Sequence, residues 1–511
     1  MQRKAFKAAV VVALASTLVG GASVAAWSEP SGQNQNEQGE RGGEIRNVIY
    51  LLGDGMGRTH VTAGRERFYG ADGRLNMERM PFVGQVATHA VEKGSAKPAL
   101  VTDSASSATA WSSGVKTYNA ALGVDSYEKK VVTLMEQAKA AGFATGNVST
   151  AEITDATPAA EFSHVLLRGC QGPSYSDAAC LPKNADGSYE AKPADSTLIT
   201  PVAEQIARNG TADVVLGGGL ARFEPDDQKA LEAQGYQVLG SFGDPALPTQ
   251  SAASQKVATK ADLDAARGRK VVGLFNRGNL TVEAAKSALP AGAPEKAEPT
   301  LSDMTTKAID LLAKKNRRGF FLQIEGAQID KRSHANDAAQ TLGEIKAFDD
   351  AVAKAVDFAK RDGHTLVIVT ADHECAGFNI IEKGTFTNAE AAAPPANNDA
   401  GNPANNSSPA RSAAANVKDP SRSGGIVNGA GSKDPKNFAP ATFRTPDDPA
   451  GVADGSPDAS LWLTYLSGNH TGADVPIFAY GPGGQRFAAS QDNTELYGKM
   501  YRALFNRSPQ H

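Results

Sequence analysis

The sequence predicts an α/β fold, a three-layer α/β/α sandwich around a central, mostly parallel sheet. Three observations carry that expectation. Short apolar runs recur along the chain, stretches of helical character separate them, and several runs end in an acidic residue. A parallel sheet covered by helices on both sides has no solvent-facing positions, so its strands read as continuous apolar runs rather than alternating ones.

In chain order the runs are Val48 to Leu52, Val214 to Leu216, Val271 to Leu274, Phe320 to Ile324, Leu366 to Val369 and Val475 to Ala479. Between two of them, Leu342 to Lys360 has helical character and suits the crossover that parallel neighbours require. With 511 residues, 41% of them hydrophobic, the chain can bury a sizeable core as one large α/β unit or as two or three domains. The balance of 52 Lys+Arg against 56 Asp+Glu, a net charge of −4, gives no basic footprint for nucleic acid or an anionic membrane. It points to a small partner.

Residues 1–26 carry Arg3, Lys4 and Lys7, then an Ala/Val/Leu run, then Val24-Ala25-Ala26, the pattern of a secretory signal peptide. Export to the periplasm or the exterior, with no membrane anchor after cleavage, is the expectation. Residues 27–45 read as a polar, disordered leader and 46–387 as the first part of the folded core. Residues 388–460, rich in Ala, Pro, Asn, Gly and Ser, read as a low-complexity insertion, and 461–507 as the last strands of the core. Export also permits a short-loop disulfide between Cys170 and Cys180, which leaves Cys375 as a buried free thiol near the acids described next.

Asp54 follows the first run, Asp372 and His373 follow the fifth, and Glu325, Asp330 and His334 follow the fourth. Ligands of α/β sheets bind outside the carboxyl ends of the strands, so these side chains should converge on one cleft. Asp330 and His334, four apart, would share a helix face and suit one metal, although any single Asp after a strand serves equally well as a turn former. Within Val101 to Ala110, Ser104 starts a small-residue helical stretch, where the helix N-terminus would favour an oxyanion or a phosphate; an Asp/Ser cap is the plainer reading of the same residues. No G-x-S-x-G elbow surrounds Ser104, so its activation would need a metal.

Six blocks taken together are more specific. Val101-Thr-Asp-Ser-Ala-Ser-Ser-Ala-Thr-Ala-Trp-Ser-Ser-Gly-Val-Lys-Thr-Tyr-Asn119, Gly53-Asp-Gly-Met-Gly57, Val148-Ser-Thr-Ala-Glu-Ile-Thr-Asp-Ala-Thr-Pro158, Gln323-Ile-Glu-Gly-Ala-Gln-Ile-Asp-Lys331, Thr370-Ala-Asp-His373 and His470-Thr-Gly472 resemble the motifs of the alkaline phosphatase family, bacterial type. The resemblance covers most of residues 46–385 and 461–507. It implies an alkaline-phosphatase-like sandwich and an exported hydrolase that turns phosphate monoesters into an alcohol and inorganic phosphate through a covalent phosphoserine, fastest at alkaline pH. It further implies Ser104 as nucleophile, Arg168 gripping the phosphate, Asp103 orienting Arg168, and Lys331 reaching the phosphate through water.

Two Zn²⁺ and one Mg²⁺ are implied in the same way. One zinc would lie on Asp330, His334 and His470, the other on Asp54, Asp372 and His373, and magnesium on Asp54, Asp155, Thr157 and Glu325. Animal members place His at the positions of both Asp155 and Lys331. Five carboxylates in one cleft would repel strongly when bare, and such cations offset them. Imidazoles suit zinc, while carboxylates with a hydroxyl suit magnesium.

Two features depart from the family pattern. Cys375 stands where several members have a second His, and the insertion lies where the family places a crown near its dimer interface, so a homodimer is an expectation carried by the resemblance alone. Three rivals fit less well. A sulfatase needs Pro and Arg where this chain has Ser106 and Ala108, and a phosphodiesterase of the superfamily usually has a Thr nucleophile and lacks the gripping Arg. A catalytically inactive phosphate- or metal-binding protein would not need every presumed ligand together with the nucleophile.

Overall fold

The computed structural model describes residues 44–509 except 245, 247–253, 315–317, 384–440, 457 and 467. The expected signal peptide, the leader up to residue 43 and residues 388–440 of the expected insertion lie outside the described residues. Gly43–His511 forms one compact unit.

Its centre is a 10-stranded sheet. Across the sheet the strands run Ser490–Asp492, Phe82–Ala87, Val475–Tyr480, Thr365–Thr370, Asn47–Gly53, Phe320–Gly326, Ala144–Glu152, Val214–Gly218, Lys270–Leu274 and Tyr236–Leu239. All the pairings are parallel except those of Val475–Tyr480, which runs against both of its neighbours. Every apolar run picked out from the sequence is a strand of this sheet. Asn47–Gly53, Phe320–Gly326 and Thr365–Thr370 are buried along their whole length, as strands covered on both faces must be.

Two helical layers supply the covers. On one side Leu301–Ala313 packs on Ala144–Glu152 and Phe320–Gly326, and Ala338–Asp362 on Thr365–Thr370 and Asn47–Gly53. Ser104–Ser113 and Asn493–Phe505 pack together on the other, where Trp111 meets Tyr50 with ring centroids 4.6 Å apart. Ala338–Asp362 forms because Leu342, Ile345, Phe348, Val352, Ala355 and Ala359 recur at helical spacing and are buried. Asp337 caps its N-terminus by accepting from the Gln340 amide, and Gly363, at φ 72°, ends it in the left-handed region. Phe348 then presses on the end of a central strand: a Cβ on Gly326 would lie 2.7 Å from its ring, so glycine there lets helix and strand approach.

Outside the main sheet, Glu374–Cys375 pairs with His470–Thr471, and Asn379–Ile380, Leu461–Thr464 and Ala441–Phe443 make a 3-stranded sheet. The last part of the segment read as a low-complexity insertion is therefore structured. Phe443 is buried, and Asp448 accepts from the Thr445 and Ser460 amides to fold the connection between two strands. Its low apolar content hid this, because a short strand and a turn held by one carboxylate need few apolar residues. Cys170 and Cys180 form a disulfide.

Candidate active site

The acids lie at the carboxyl ends of adjacent central strands. Register sets Leu52 level with both Thr370 and Glu325, so Asp54 and Asp372 emerge at one height, with Glu325 two residues lower on the neighbouring strand. Asp155 caps the turn that follows Ala144–Glu152. Asp330, Lys331 and His334 sit on the short helix Gln328–His334. His470 arrives from elsewhere, on a two-residue strand opposite Cys375.

Two groups of donors converge. Asp330, His334, Cys375 and His470 offer atoms that all lie within 4.8 Å of one another, and so do Asp54, Asp372 and His373. In the first group His470 Nδ1 faces the Thr102 carbonyl at 3.0 Å and His334 Nδ1 faces the Gly468 carbonyl at 2.6 Å. Carbonyl oxygens only accept, so each Nδ1 is assigned the proton and each Nε2 of a neutral ring presents a lone pair. The two Nε2 atoms are 3.1 Å apart, with Asp330 oxygens 3.2 Å from His334 and 3.4 Å from His470. Burial and the neighbouring His373 push the His470 pKa down to about 4, which keeps its lone pair available.

The carboxylates have the same need for a cation. Asp54 Oδ1, Asp330 Oδ1 and Asp372 Oδ2 are buried without a hydrogen-bond partner. Burial and the charges of Asp372, Asp330 and Glu325 push Asp54 well above the usual carboxylate range. Burial lifts Glu325 to about 7 against the opposing hydrogen bond from Ser149, with Asp155 adding to the rise. Burial would raise Asp330 too, but His334 and His470 outweigh it and hold that carboxyl low. Bare lone pairs beside buried, partnerless carboxylate oxygens are the donor set of a metal site, and both groups fit zinc in ligand type.

Ser104 begins the helix Ser104–Ser113, which Asp103 caps by accepting from the Ser106 amide at 2.9 Å. Its Oγ lies 3.1 Å from His373 Nε2, so the hydroxyl faces the second donor group. Ser107 Oγ donates to the Asp372 carbonyl at 2.8 Å, which locks this helix to the strand end carrying that group. Arg168 is buried and anchored twice, through Nη1 to Asp103 Oδ2 at 3.1 Å and through Nη2 to Asp155 Oδ1 at 3.0 Å. Lys331 Nζ donates to Asp155 Oδ2 at 2.7 Å. Burial alone would raise the Asp155 pKa; Lys331 and Arg168 outweigh it and hold the carboxyl below its usual range.

Asp54, Asp155 and Glu325 do not gather to the spacing of the other two groups among the described residues. Asp155 is engaged by Arg168 and Lys331, Glu325 accepts from Ser149 Oγ, and Thr157 Oγ1 is buried without a partner. A cation here would replace hydrogen bonds that the side chains now make.

Sequence reasoning missed several supporting residues. Asn119 Oδ1 accepts from the Asp103 amide at 3.0 Å and from Ser106 Oγ at 2.8 Å, so it fixes the cap beside the serine. His60 is buried, 3.0 Å from Ser333 Oγ and 3.9 Å from Glu374, the residues next in the chain to His334 and His373. Gly55, at φ +69°, has no room for a Cβ, which would lie 2.8 Å from Cys375 Cβ and 2.9 Å from Asp330 Cβ. Asn119 and Gly55 stand inside the quoted blocks, which was the available signal; His60 had none.

The family model described as alkaline phosphatase matches residues 45–505. Alkaline phosphatase of Escherichia fergusonii is 43% identical over 358 residues, 64% of this chain and 70% of that protein. Alkaline phosphatase 4 of Bacillus subtilis is 32% identical over 524 residues, 99% of this chain and 97% of that protein. Among solved structures, alkaline phosphatase from the Antarctic bacterium TAB5 superposes with a TM-score of 0.59 at 26% identity, covering 92% of this chain and all of that one. A variant of the TAB5 enzyme was solved with Mg bound in the M3 site.

Proposed function

This chain belongs to the alkaline phosphatase family and hydrolyses phosphate monoesters, and from that premise we propose that hydrolysis passes through a covalent phosphate on Ser104. The observation that carries this reading is the Ser104 hydroxyl, 3.1 Å from His373 Nε2 at a helix N-terminus, where both carboxylates near His373 contact that same Nε2 and not Nδ1 as the acid of a Ser-His-Asp triad would. His373 has Asp372 Oδ2 at 3.0 Å and Asp54 Oδ1 at 3.5 Å, which makes it part of a ligand set rather than a lone proton acceptor.

The enzyme depends on metal. In the finer reading Asp330, His334 and His470 would hold one Zn²⁺, Asp54, Asp372 and His373 another, and Asp54, Asp155, Thr157 and Glu325 one Mg²⁺. Bound there, these cations supply Lewis-acid charge that favours ionised hydroxyl and water and stabilises the leaving oxygen. The chain's own residues do the rest. Arg168, fixed by Asp103 and Asp155, presents its remaining donors to two phosphoryl oxygens and favours a dianionic monoester over a diester. The amides at the head of the Ser104–Ser113 helix add partial positive charge where the phosphoryl group docks. Lys331, held on Asp155, adds a second positive charge to the same wall, so the transferred group is recognised by charge while the alcohol stays in solvent.

Export fits the same reading. The N-terminal composition is that of a signal peptide, the Cys170–Cys180 disulfide suits an oxidising compartment, and no helix among the described residues is long and apolar enough to cross a membrane. A periplasmic or secreted enzyme that releases inorganic phosphate, as a homodimer, is the form proposed.

Ser104→Ala tests the nucleophile. The variant should bind metal as the parent does, lose monoester turnover, and give no phosphate adduct on the peptide bearing Ser104 when acid-quenched with substrate. Undiminished turnover would sink the assignment.

A further inference from the structure

We propose that Cys375 is a fourth protein donor to the cation held by Asp330, His334 and His470, bound as its thiolate. The inference rests on reading that group as a metal site and goes beyond it, since the family resemblance assigns the cation three ligands and places Cys375 at an outer position.

Geometry carries it. Cys375 Sγ belongs to the set of donor atoms that all lie within 4.8 Å of one another. Its backbone is fixed: the residue pairs directly with His470 across two antiparallel strands, and its amide donates to the Gly55 carbonyl at 3.0 Å. Residues opposite each other in such a pair project to the same side, so the thiol and the imidazole share one space. That space is closed. Cys375 is fully buried, and the Gly55 backbone walls it so tightly that a Cβ on Gly55 would meet both Cys375 and Asp330.

The thiol's hydrogen-bond partner is the Asp330 carbonyl at 3.7 Å, a long contact for a weak donor. An independent observation points to a ligand in the same place: Asp330 Oδ1 is buried and without a hydrogen-bond partner, with His470 Nε2 at 3.4 Å from it and His334 Nε2 at 3.2 Å from the other oxygen of the same carboxylate. Two imidazoles, a carboxylate and a thiolate form a donor set suited to zinc, with Zn–S of about 2.3 Å.

Binding exchanges a proton for a metal bond. The S–H bond breaks, the proton leaves to solvent, and the sulfur lone pair is donated to the cation. Asp330 and Cys375 together then carry two negative charges against the two positive charges of zinc, where Asp330 alone would leave one uncompensated. The cation would be held more tightly and act as a weaker Lewis acid. A phosphate ester oxygen would enter as a fifth ligand, which zinc accommodates.

The test replaces zinc by Co²⁺ in chelated protein and records absorption. The full-length chain should show visible tetrahedral d–d bands together with a near-ultraviolet sulfur-to-cobalt charge-transfer band. Cys375→Ser should keep the d–d bands and lose the charge-transfer band, because Cys375 is the free thiol and the other cysteines are disulfide-bonded. Cadmium NMR of the unmutated protein gives a second readout independent of any variant: one thiolate-shifted resonance is expected. Visible bands without the charge-transfer band, or a cadmium resonance at the position of nitrogen and oxygen ligands only, would overturn the proposal and leave the metal site standing. Absence of the visible bands would overturn both.

Discussion

Arg168→Lys separates gripping the phosphate from merely filling the cleft. The guanidinium spans two acids, with 3.1 Å to Asp103 and 3.0 Å to Asp155, and is buried, so its fork is already oriented before substrate arrives. A lysine keeps the charge but offers a single point donor, which cannot satisfy both acids and also contact two phosphoryl oxygens. One charge-assisted hydrogen bond to phosphate is thereby lost, worth about 1.5–3 kcal/mol. At about 1.4 kcal/mol per decade this corresponds to a fall of roughly 10- to 150-fold in kcat/KM for a monoester. Because the same bond holds the product, the inhibition constant for inorganic phosphate should rise by a similar factor, while turnover of a diester, with fewer free oxygens, should fall less. Steady-state kinetics on an aryl phosphate and its diester, with phosphate as competitor, gives all three numbers. A drop in kcat/KM with an unchanged phosphate inhibition constant would refute the grip and make Arg168 a packing residue of the Asp103 and Asp155 wall.

Two further expectations concern stability. His164 Nε2 lies 2.9 Å from Glu136, tying the loop that leads to Arg168 to the helix Leu134–Ala140. Burial would lower the His164 pKa, but the Glu136 hydrogen bond and charge outweigh it and raise it; for Glu136, burial opposes and His164 lowers. The raised His contributes fully below about pH 6.5 and is lost as pH rises through its folded value, whereas the lowered Glu contributes fully above about pH 4.5 and is lost as pH falls through its own. His164→Gln should therefore cost about 1.5–3 kcal/mol near pH 5.5 and less at alkaline pH; equal shifts in melting temperature at both would refute the pair. Chelation should lower the melting temperature as well, since a ligand at a thousandfold excess over its Kd stabilises the folded state by about 4 kcal/mol. A melting curve indifferent to a chelator would contradict the metal reading.

How much of this was legible in the sequence depends on where each interaction is encoded. The strands and the acids at their ends were readable because both are local: Val48 to Leu52 followed by Asp54, or Leu366 to Val369 followed by Asp372, state a buried strand and a candidate ligand in a few adjacent letters. The closeness of Asp330 and His334 was readable from helical spacing, and both lie on the helix Gln328–His334 with their side chains 3.2 Å apart. By contrast, Ala144–Glu152 contains Thr145, Asn147, Ser149 and Thr150, and the apolar-run criterion passes over it although it lies between two central strands. Its polar side chains are buried because they have work in the interior, such as the hydrogen bond from Ser149 to Glu325 and that from Asn147 to the Pro158 carbonyl.

The least legible part is what aims the ligands. His334 and His470 present Nε2 because the carbonyls of Gly468 and Thr102 take the opposite ring proton, and a carbonyl is the same in every residue, so nothing in the letters marks those two. His470 reaches the group by pairing opposite Cys375, a contact between residues far apart in the chain that no periodicity announces. The same non-local pairing brings the Cys375 sulfur in among the imidazoles. A reading that treats the second position after His373 as a departure from a family pattern sees only an absent histidine, whereas the register of two short strands places a sulfur atom beside Asp330, His334 and His470. The proposed metal site is thus announced by local motifs, and the meeting of its side chains is set by long-range register.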